Sequence, residues 1–166
     1  YKGPHPGRIA RAMAPALLIA FFTKSSNAAL PTTMECAQEN AGVSQKVASF
    51  SLPMCSVINM NGCAAFIITT VLFVSMSAGM AYSIPEMIAW IFIATLAAIG
   101  NAGVPMGCYF ISSAFLIGMN APLYIMGIIL PIYTLIDMIE TALNVWSDSC
   151  VTTIVDKELL SVTSDQ

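Results

Sequence analysis

No lysine or arginine occurs between Lys46 and Lys157. Over all 166 residues, 57% are hydrophobic and only 9% are charged, and the mean hydropathy is +0.79. A water-soluble domain carries roughly 25% charged residues, so this chain has too few charges to cover a surface that faces water. Its natural surroundings are therefore lipid. The net charge of −3, with no basic block, argues against nucleic acid as a partner.

Histidine and cysteine give no indication of a metal enzyme or a redox centre. His5 is the only histidine, and no cysteine belongs to a Cys-x-x-Cys pair. Scattered cysteines mostly serve as small, polarizable residues between helices, and we expect this of all five: Cys36, Cys55, Cys63, Cys108 and Cys150. The first residues contain neither an initiator methionine nor a cleavable signal pattern, so we expect the chain to begin inside a longer protein.

Short and long apolar segments alternate in the first half of the chain. Residues 9–22 are too few for a spanning helix, which needs about 20 residues. They end in a polar break at 23–27, after which a second short helix is expected to run to about Asn40. The next apolar segment, 51–82, is long enough to span, although polar residues and a glycine at 59–62 interrupt it near one end.

The same order recurs in the second half. A short apolar run at 86–99 is broken by Gly-Asn-Ala-Gly at 100–103, and a second half-helix is expected to end near Gly118. Residues 123–155 then predict one long helix. The polar tail at 156–166 is expected to be frayed.

Sequence similarity between the halves supports an internal repeat. Asn-Ala-Ala-Leu-Pro at 27–31 matches Asn-Ala-Gly-Val-Pro at 101–105. Each copy is followed by a Leu-Pro pair, and six residues beyond each of those prolines stands a polar residue, Asn59 or Asp137. Paired, interrupted hydrophobic segments at corresponding positions point to a transporter site near the bilayer midplane.

The distribution of basic residues gives the repeats opposite orientations. The positive-inside rule places both chain ends and the Lys46 loop in the cytoplasm, so the first hairpin enters from inside and the second from outside. The sequence therefore predicts an all-α membrane protein of two inverted repeats, each a re-entrant helical hairpin followed by a transmembrane helix. The expected parts of this partial transport domain, 1–166, are hairpins at 8–46 and 85–119, a broken transmembrane helix at 50–82, a last transmembrane helix at 123–155 and a cytoplasmic tail at 156–166.

Polar residues of the last helix share one face. Asp137, Thr141, Asn144 and Asp148 are spaced i, i+4, i+7 and i+11, and Glu140 lies at the edge of the same stripe. Each carboxylate costs about 2.5 kcal/mol or more at the bilayer centre. A cation, a substrate or a proton is needed to offset this cost, unless a residue such as Asp148 lies near the interface and only solvates the helix end.

The two predicted helix breaks would supply main-chain groups for ligand binding. Helices that begin after Ser25 or after Gly103 would present N–H groups suited to a substrate carboxylate. Lys24 is the only basic residue at depth. It either neutralises one of the buried carboxylates when no ligand is bound or extends its ammonium group to the cytoplasmic interface.

Four motifs together resemble the sodium:dicarboxylate/amino-acid symporter family, which has the glutamate/aspartate transporter fold. They are Thr-Lys-Ser-Ser-Asn-Ala-Ala-Leu-Pro-Thr-Thr-Met at 23–34, Asn-Met-Asn-Gly-Cys at 59–63, Gly-Asn-Ala-Gly-Val-Pro at 100–105 and the polar face at 137–148. The resemblance covers nearly the whole chain. It implies about six further helices ahead of Tyr1 that form a scaffold, a homotrimer, and a multi-pass location in the cell (inner) membrane.

The resemblance also implies an amino-acid site. Asp137 would bind the α-ammonium group of the substrate, and Asn144 with the main chain of Ser26 would bind its α-carboxylate. The remaining residues that it places around the substrate are Asn27, Cys63, Val104, Gly107, Glu140 and Thr141.

Sodium ions are the coupling ions that the resemblance implies, with no organic cofactor. One ion would use the Asp148 carboxylate with the carbonyls of Cys55, Asn59 and Asn144. A second would use the carbonyls of Val57, Ala98, Ile99 and Asn101. Oxygen ligands, many from unwound backbone, suit such an ion.

Three positions depart from the family pattern. Asn61 replaces a carboxylate of a third sodium site, Cys63 replaces a threonine, and Glu140 stands where members with acidic substrates carry an arginine. In a low-dielectric pocket Glu140 would repel an acidic side chain by several kcal/mol. We therefore expect cation-coupled symport of a neutral or cationic amino acid, or a protonated Glu140 that takes part in proton coupling.

Other functions stay open at this point. One alternative is a dicarboxylate or acidic amino-acid symporter with an altered pocket, and another is a non-transporting remnant of such a carrier. An intramembrane aspartyl protease needs two carboxylates that share a proton, whereas Asp137 and Asp148 lie about 16 Å apart along one helix. The sequence therefore does not indicate an enzyme.

Overall fold

The computed structural model describes residues 5–164, and within that range the chain is helical with no β-strand. The all-α prediction is confirmed. The helices are α1 Pro6–Ala12, α2 Ala14–Thr23, α3 Ser26–Glu39, α4 Gln45–Ile58, α5 Asn61–Ser77, α6 Ile84–Gly100, α7 Gly107–Gly118 and α8 Tyr124–Ser164.

Between residues 5 and 164, two stretches are long and apolar enough to cross a membrane, Gln45–Ser77 and Tyr124–Val162. Only 28% and 22% of the residues in their most apolar windows are buried inside the structure. The central helix of a soluble protein would instead be mostly covered by its own chain. The apolar surface of these two stretches is therefore left uncovered by the described residues, as the apolar surface of a membrane-spanning helix can be.

The chain divides into two compact units, and each is described by itself. The first comprises residues up to Asn59 together with those from Thr141 onward, and the second comprises Met60–Glu140. Helix α8 contributes to both, because the division falls between Glu140 and Thr141.

The first unit is built on helices α1 to α4. The short apolar run at 9–22 forms two helices: α1 ends at Ala12, and α2 starts at Ala14 with Pro15 in its first turn. Proline is tolerated there because the N–H that it lacks has no partner within the helix. The core of this unit consists of Ile9, Met13, Ala16, Cys36, Ala37, Val43, Ala48 and Leu52.

The expectation of a frayed tail from residue 156 onward is wrong up to Ser164, where α8 ends. The Asp156 carboxylate accepts hydrogen bonds from the Ser44 N–H at 3.2 Å and from the Ser44 hydroxyl at 2.5 Å. One turn earlier, the Thr152 hydroxyl donates to Ser51 at 3.0 Å. These bonds hold the helix beyond the point where its apolar pattern ends. Asp165 and Gln166 lie outside the described residues.

In the second unit, α5 packs against both α6 and α7. Its core contains Ile67, Val71, Ala94, Ala98, Cys108 and Tyr133. The Tyr133 ring lies 4.9 Å from the ring of Phe66 and 5.4 Å from that of Tyr109, measured between centroids. This packing fixes the aromatic part of α8 against α5 and α7 and so sets the position of Glu140, two turns further along α8.

Candidate substrate and ion sites

The break between α4 and α5 brings a side-chain amide to a buried carboxylate. Asn59, which separates the two helices with φ −91° and ψ 75°, donates through Nδ2 to Asp148 at 2.8 Å and to Ser147 at 2.9 Å. Asp148 is 2% exposed. A buried carboxylate therefore stands beside the C-terminal end of α4, where main-chain carbonyls lack partners further along the helix.

Two more residues of the first predicted sodium site belong to the same unit. The carbonyl of Cys55 accepts from the N–H of Asn59 at 2.8 Å, and a carbonyl oxygen retains a second lone pair for a cation. Asn144 lies one turn before Asp148 on α8 and is 3% exposed. The structure thus supplies carboxylate, amide and carbonyl oxygens in one unit, and their role as sodium ligands stays a prediction.

The residues predicted for the second sodium site divide between the units. Val57 lies in α4 of the first unit, and its side chain is exposed. Ala98, Ile99 and Asn101 lie at the end of α6 in the second unit, where their carbonyls accept from N–H groups three residues ahead at 3.1–3.2 Å. Hydrogen bonds between residues three apart are typical of a last helical turn that tightens into 3₁₀ geometry.

The loop between α6 and α7 is held by a buried asparagine. Asn101 donates through Nδ2 to the Cys108 sulfur at 3.4 Å and lies directly against Gly107. A Cβ atom at position 107 would collide with the Asn101 amide, so any larger residue there would require the Asn101 side chain to move. Gly103 and Met106 both have positive φ, 78° and 55°. Met106 therefore stands in a conformation that costs a residue with a side chain of order 1–3 kcal/mol.

Two residues predicted for the substrate site, Cys63 and Glu140, lie close to each other and to Cys108 in the second unit. The Cys63 sulfur, the Cys108 sulfur and a Glu140 carboxylate oxygen all lie within 4.8 Å of one another. Glu140 is 4% exposed, and Cys108 is buried too. Asp137, one turn before Glu140 on α8, is half-buried, whereas Val104 in the loop is exposed.

The other predicted substrate residues belong to the first unit. Ser26 is the first residue of α3, and the hydroxyl of the preceding Ser25 accepts from the Ala28 N–H at 3.2 Å. Asn27 is exposed, and Thr141 is buried on α8. The Ser25 cap satisfies one of the N–H groups at the start of α3, and those of Ser26 and Asn27 belong to the same first turn.

Two residues near the breaks have distinctive local conformations. Lys24 is exposed and adopts the left-handed conformation, with φ 53°, between α2 and α3. Asn61, predicted to replace a carboxylate ligand, is exposed at the start of α5, where its side-chain oxygen accepts from the Gly62 N–H at 2.9 Å. The neutralising role of Lys24 stays a prediction.

Residues 1–158 match the model of the Sodium:dicarboxylate symporter family. The chain belongs to this family. The sodium:dicarboxylate symporter family consists of transporters, so the resemblance and the expectation that the chain is not an enzyme are both confirmed, and the protease alternative is wrong.

The chain is also similar to curated amino acid transporters. The chain is 33% identical over 153 residues to a putative sodium-dependent excitatory amino acid transporter, glt-4, of Caenorhabditis elegans, covering 92% of this chain and 31% of that protein. It is 35% identical over 153 residues to excitatory amino acid transporter 3 of Homo sapiens, covering 92% of this chain and 29% of that protein. It is 33% identical over 133 residues to neutral amino acid transporter B(0) of Homo sapiens, covering 80% of this chain and 25% of that protein.

The chain thus spans less than a third of the length of these curated relatives. Their names include carriers of both excitatory and neutral amino acids, so membership of the family does not by itself select a substrate. Two residues that the sequence reasoning missed, Cys108 and Ser147, contact predicted site residues. No spacing rule could have found Cys108, because it is 45 positions from Cys63 and 32 from Glu140.

Proposed function

We propose that this chain is the substrate- and ion-binding part of a sodium-coupled symporter for a neutral or cationic amino acid. Glu140 carries the proposal for the substrate. It is 4% exposed and negatively charged when ionised, and the family resemblance assigns its position to the contact with the substrate side chain. An acidic side chain about 4 Å away would be repelled by roughly 4 kcal/mol at an effective dielectric constant of 20, or about a thousandfold in affinity.

Sodium coupling is supported by the surroundings of Asp148. The carboxylate is buried, accepts a hydrogen bond from Asn59, and stands beside carbonyl oxygens at the end of α4. Hard cations prefer such oxygen ligands. A cation bound there would also offset the cost of burying a carboxylate within an apolar helix.

We further propose that the chain forms two inverted repeats, with re-entrant hairpins at 8–46 and 85–119, in a multi-pass protein of the cell inner membrane. The matched motifs at 27–31 and 101–105 and the helix breaks close to them support this arrangement. The full-length protein would be a homotrimer whose scaffold comes from other parts of the protein. Movement of the core and opening of the second hairpin would give the substrate access to either side in turn.

Uptake by the full-length protein in proteoliposomes tests the proposal. Labelled serine, lysine and aspartate are offered with an inward sodium gradient, with choline in place of sodium as the control. We expect sodium-dependent uptake of serine or lysine and little uptake of aspartate. Preference for aspartate would overturn the proposal for the substrate, and no uptake of any amino acid would favour a non-transporting remnant.

Proton coupling is a second candidate, favoured by one observation. Neither carboxylate oxygen of Glu140 has a hydrogen-bond partner among the described residues. A carboxyl group in such surroundings is more easily buried when it carries a proton. Uptake driven by an inward proton gradient without sodium, and lost in Glu140→Gln, would establish this mechanism in place of sodium coupling.

A further inference from the structure

Glu140 is the central residue of a cluster that the proposed transport reaction does not explain. The Cys63 sulfur, the Cys108 sulfur and a Glu140 oxygen lie within 4.8 Å of one another, all inside the second unit. Glu140 and Cys108 are buried, and Cys63 is half-buried. Helices α5, α7 and α8 each supply one member, so the cluster is held by three separate helices.

Both Glu140 oxygens are buried and lack a hydrogen-bond partner in the described part of the chain. Thiols are weak donors and offer little compensation to a carboxylate. Leaving a buried polar group unsatisfied costs about 1–3 kcal/mol, and more for a charged one. Among the described residues the carboxylate has no hydrogen-bond partner that compensates its burial, and one of its oxygens lies within 4.8 Å of two potential thiolate ligands.

We propose that Cys63, Cys108 and Glu140 form a site for a divalent metal ion that prefers thiolate ligands, such as Zn²⁺. Thiolate ligands select soft and borderline ions such as Zn²⁺ over sodium, calcium or magnesium. An open zinc site has three protein ligands and a fourth position that water or substrate can occupy. Binding forms two Zn–S bonds and one Zn–O bond, and the two thiol protons are released to water.

The geometry needs only a small contraction. Ligand atoms about 2.0–2.3 Å from one tetrahedral ion stand roughly 3.3–3.8 Å apart, compared with separations of up to 4.8 Å here. Side-chain rotation can close a gap of about 1 Å. The Tyr133 hydroxyl is also buried without a hydrogen-bond partner in the described residues, and Tyr133 packs in the same core cluster as both cysteines. This hydroxyl is available to donate a hydrogen bond to a metal ligand and so to orient it.

This inference stands on geometry and ligand chemistry, although Cys63 and Glu140 are also residues that the proposed function assigns to the substrate. If the proposed function holds, the metal and the substrate side chain use the same space. Micromolar zinc would then inhibit uptake competitively. The metal site itself can be measured without sodium, amino acid or a gradient.

Titration with Cd²⁺ alone provides the direct test. The full-length protein in lipid nanodiscs is kept reduced with a phosphine, and thiolate ligation is followed by the sulfur-to-metal charge-transfer absorption. We expect saturation at one ion per chain. We also expect Zn²⁺ to displace the Cd²⁺ and to raise the temperature of unfolding, as a ligand of the folded state does.

Three variants and a control assign the ligands. Cys63→Ser and Cys108→Ser should each remove about half of the charge-transfer absorption and weaken binding by at least 10-fold, since loss of outer-shell groups alone costs 10–100-fold. Glu140→Gln should weaken binding to a similar extent while keeping the absorption at saturation. Cys150→Ser, a matched change in the first unit, should leave the titration unchanged.

The proposal fails if no charge-transfer absorption appears, or if absorption persists unchanged in both cysteine variants. If Cys108→Ser does not fold, two milder variants still test the metal site: Cys63→Ser, which changes a half-buried residue, and Glu140→Gln, which is nearly isosteric. Failure of amino-acid uptake would overturn the proposed function without altering the metal titration. A protein that binds cadmium poorly yet takes up serine would overturn the metal site alone.

Discussion

Asp148 and Glu140 are two buried carboxylates on the same helix, and their surroundings are opposite in character. Asp148 accepts a hydrogen bond from Asn59 and stands beside the broken end of α4. Glu140 has no hydrogen-bond partner in the described residues and lies within 4.8 Å of two cysteine sulfurs. Their exposures are nearly the same, 2% and 4%. Burial alone therefore does not distinguish the two roles, and the neighbouring atoms do.

The difference indicates how one apolar helix can serve two kinds of ligand. The carboxylate of Asp148 and the carbonyl oxygens at the end of α4 suit a hard cation, whereas sulfur beside Glu140 suits a softer one. Under the two proposals, a bound cation would in each case offset the cost of burying a carboxylate in an apolar helix. Variants at the two positions test whether the two carboxylates differ in function as they do in surroundings.

The largest effect is expected from Asp148→Asn. Removing the negative charge should raise the sodium concentration that gives half-maximal uptake by at least about 100-fold, because loss of a metal ligand's supporting groups alone costs 10–100-fold in affinity. This concentration is measured in proteoliposomes. Asp156→Asn is the matched control, because that carboxylate is also buried but accepts from Ser44. Equal sodium responses for the two variants would contradict the assigned role of Asp148.

Glu140→Arg should change the substrate preference. The variant replaces repulsion by attraction toward an acidic side chain, so the ratio of aspartate to serine uptake should rise by about 100-fold or more. Competition between the two labelled amino acids at saturating sodium measures this ratio. Glu140→Gln removes repulsion without adding attraction and should give a smaller rise. An unchanged ratio in both variants would show that this position does not contact the substrate side chain.

Asn59→Ala should cost about 1–3 kcal/mol of stability, because the Asp148 carboxylate loses its amide donor and remains buried. Thermal unfolding in detergent without sodium measures the loss. Added sodium should restore part of it if the ion takes the place of the amide as a partner. Ser147→Ala, which removes only the second acceptor of Asn59, should cost less than Asn59→Ala, and a larger cost would contradict this account.

The smallest effect concerns Glu86, a fully exposed carboxylate that serves as a reference for the two buried ones. The Ser83 hydroxyl and then the Ser83 N–H, both donating at 2.7 Å, hold the pKa of Glu86 below its ordinary value. The stabilisation is therefore present above the ordinary pKa and is lost as the pH falls through the lowered one. Amide protection factors in the first turn of α6 should fall over that range.

Glu86→Gln is the control for this last effect, because its amide cannot titrate. Protection of the same amides in that variant should not change with pH through this group. A fall of equal size in the variant would mean that another group causes the loss. Either way, uptake at neutral pH should match that of the unaltered protein.

The two helix breaks that the sequence predicts as hairpin tips differ in a way that the sequence alone did not predict. The matched motifs at 27–31 and 101–105 predict equivalent breaks, yet Pro31 lies inside α3 whereas Pro105 lies in the loop between α6 and α7. The first break is short because Ser25 caps α3 immediately after Lys24. The second is longer and depends on the buried Asn101 side chain, for which Gly107 leaves room. Propensity and spacing located both breaks, and the capping and packing partners set their lengths.

Composition and local order were enough to determine the all-helical class, the apolar stretches suited to a membrane, the family and the polar face of α8. These properties follow from hydropathy and from residue spacing along single helices, and both can be read from the amino-acid sequence alone. Only the tertiary structure decided which partner each buried carboxylate has, because Asn59 reaches Asp148 across 89 positions and Cys63 meets Glu140 across 77. Contacts between residues so far apart depend on how separate helices pack, and no local pattern encodes that packing.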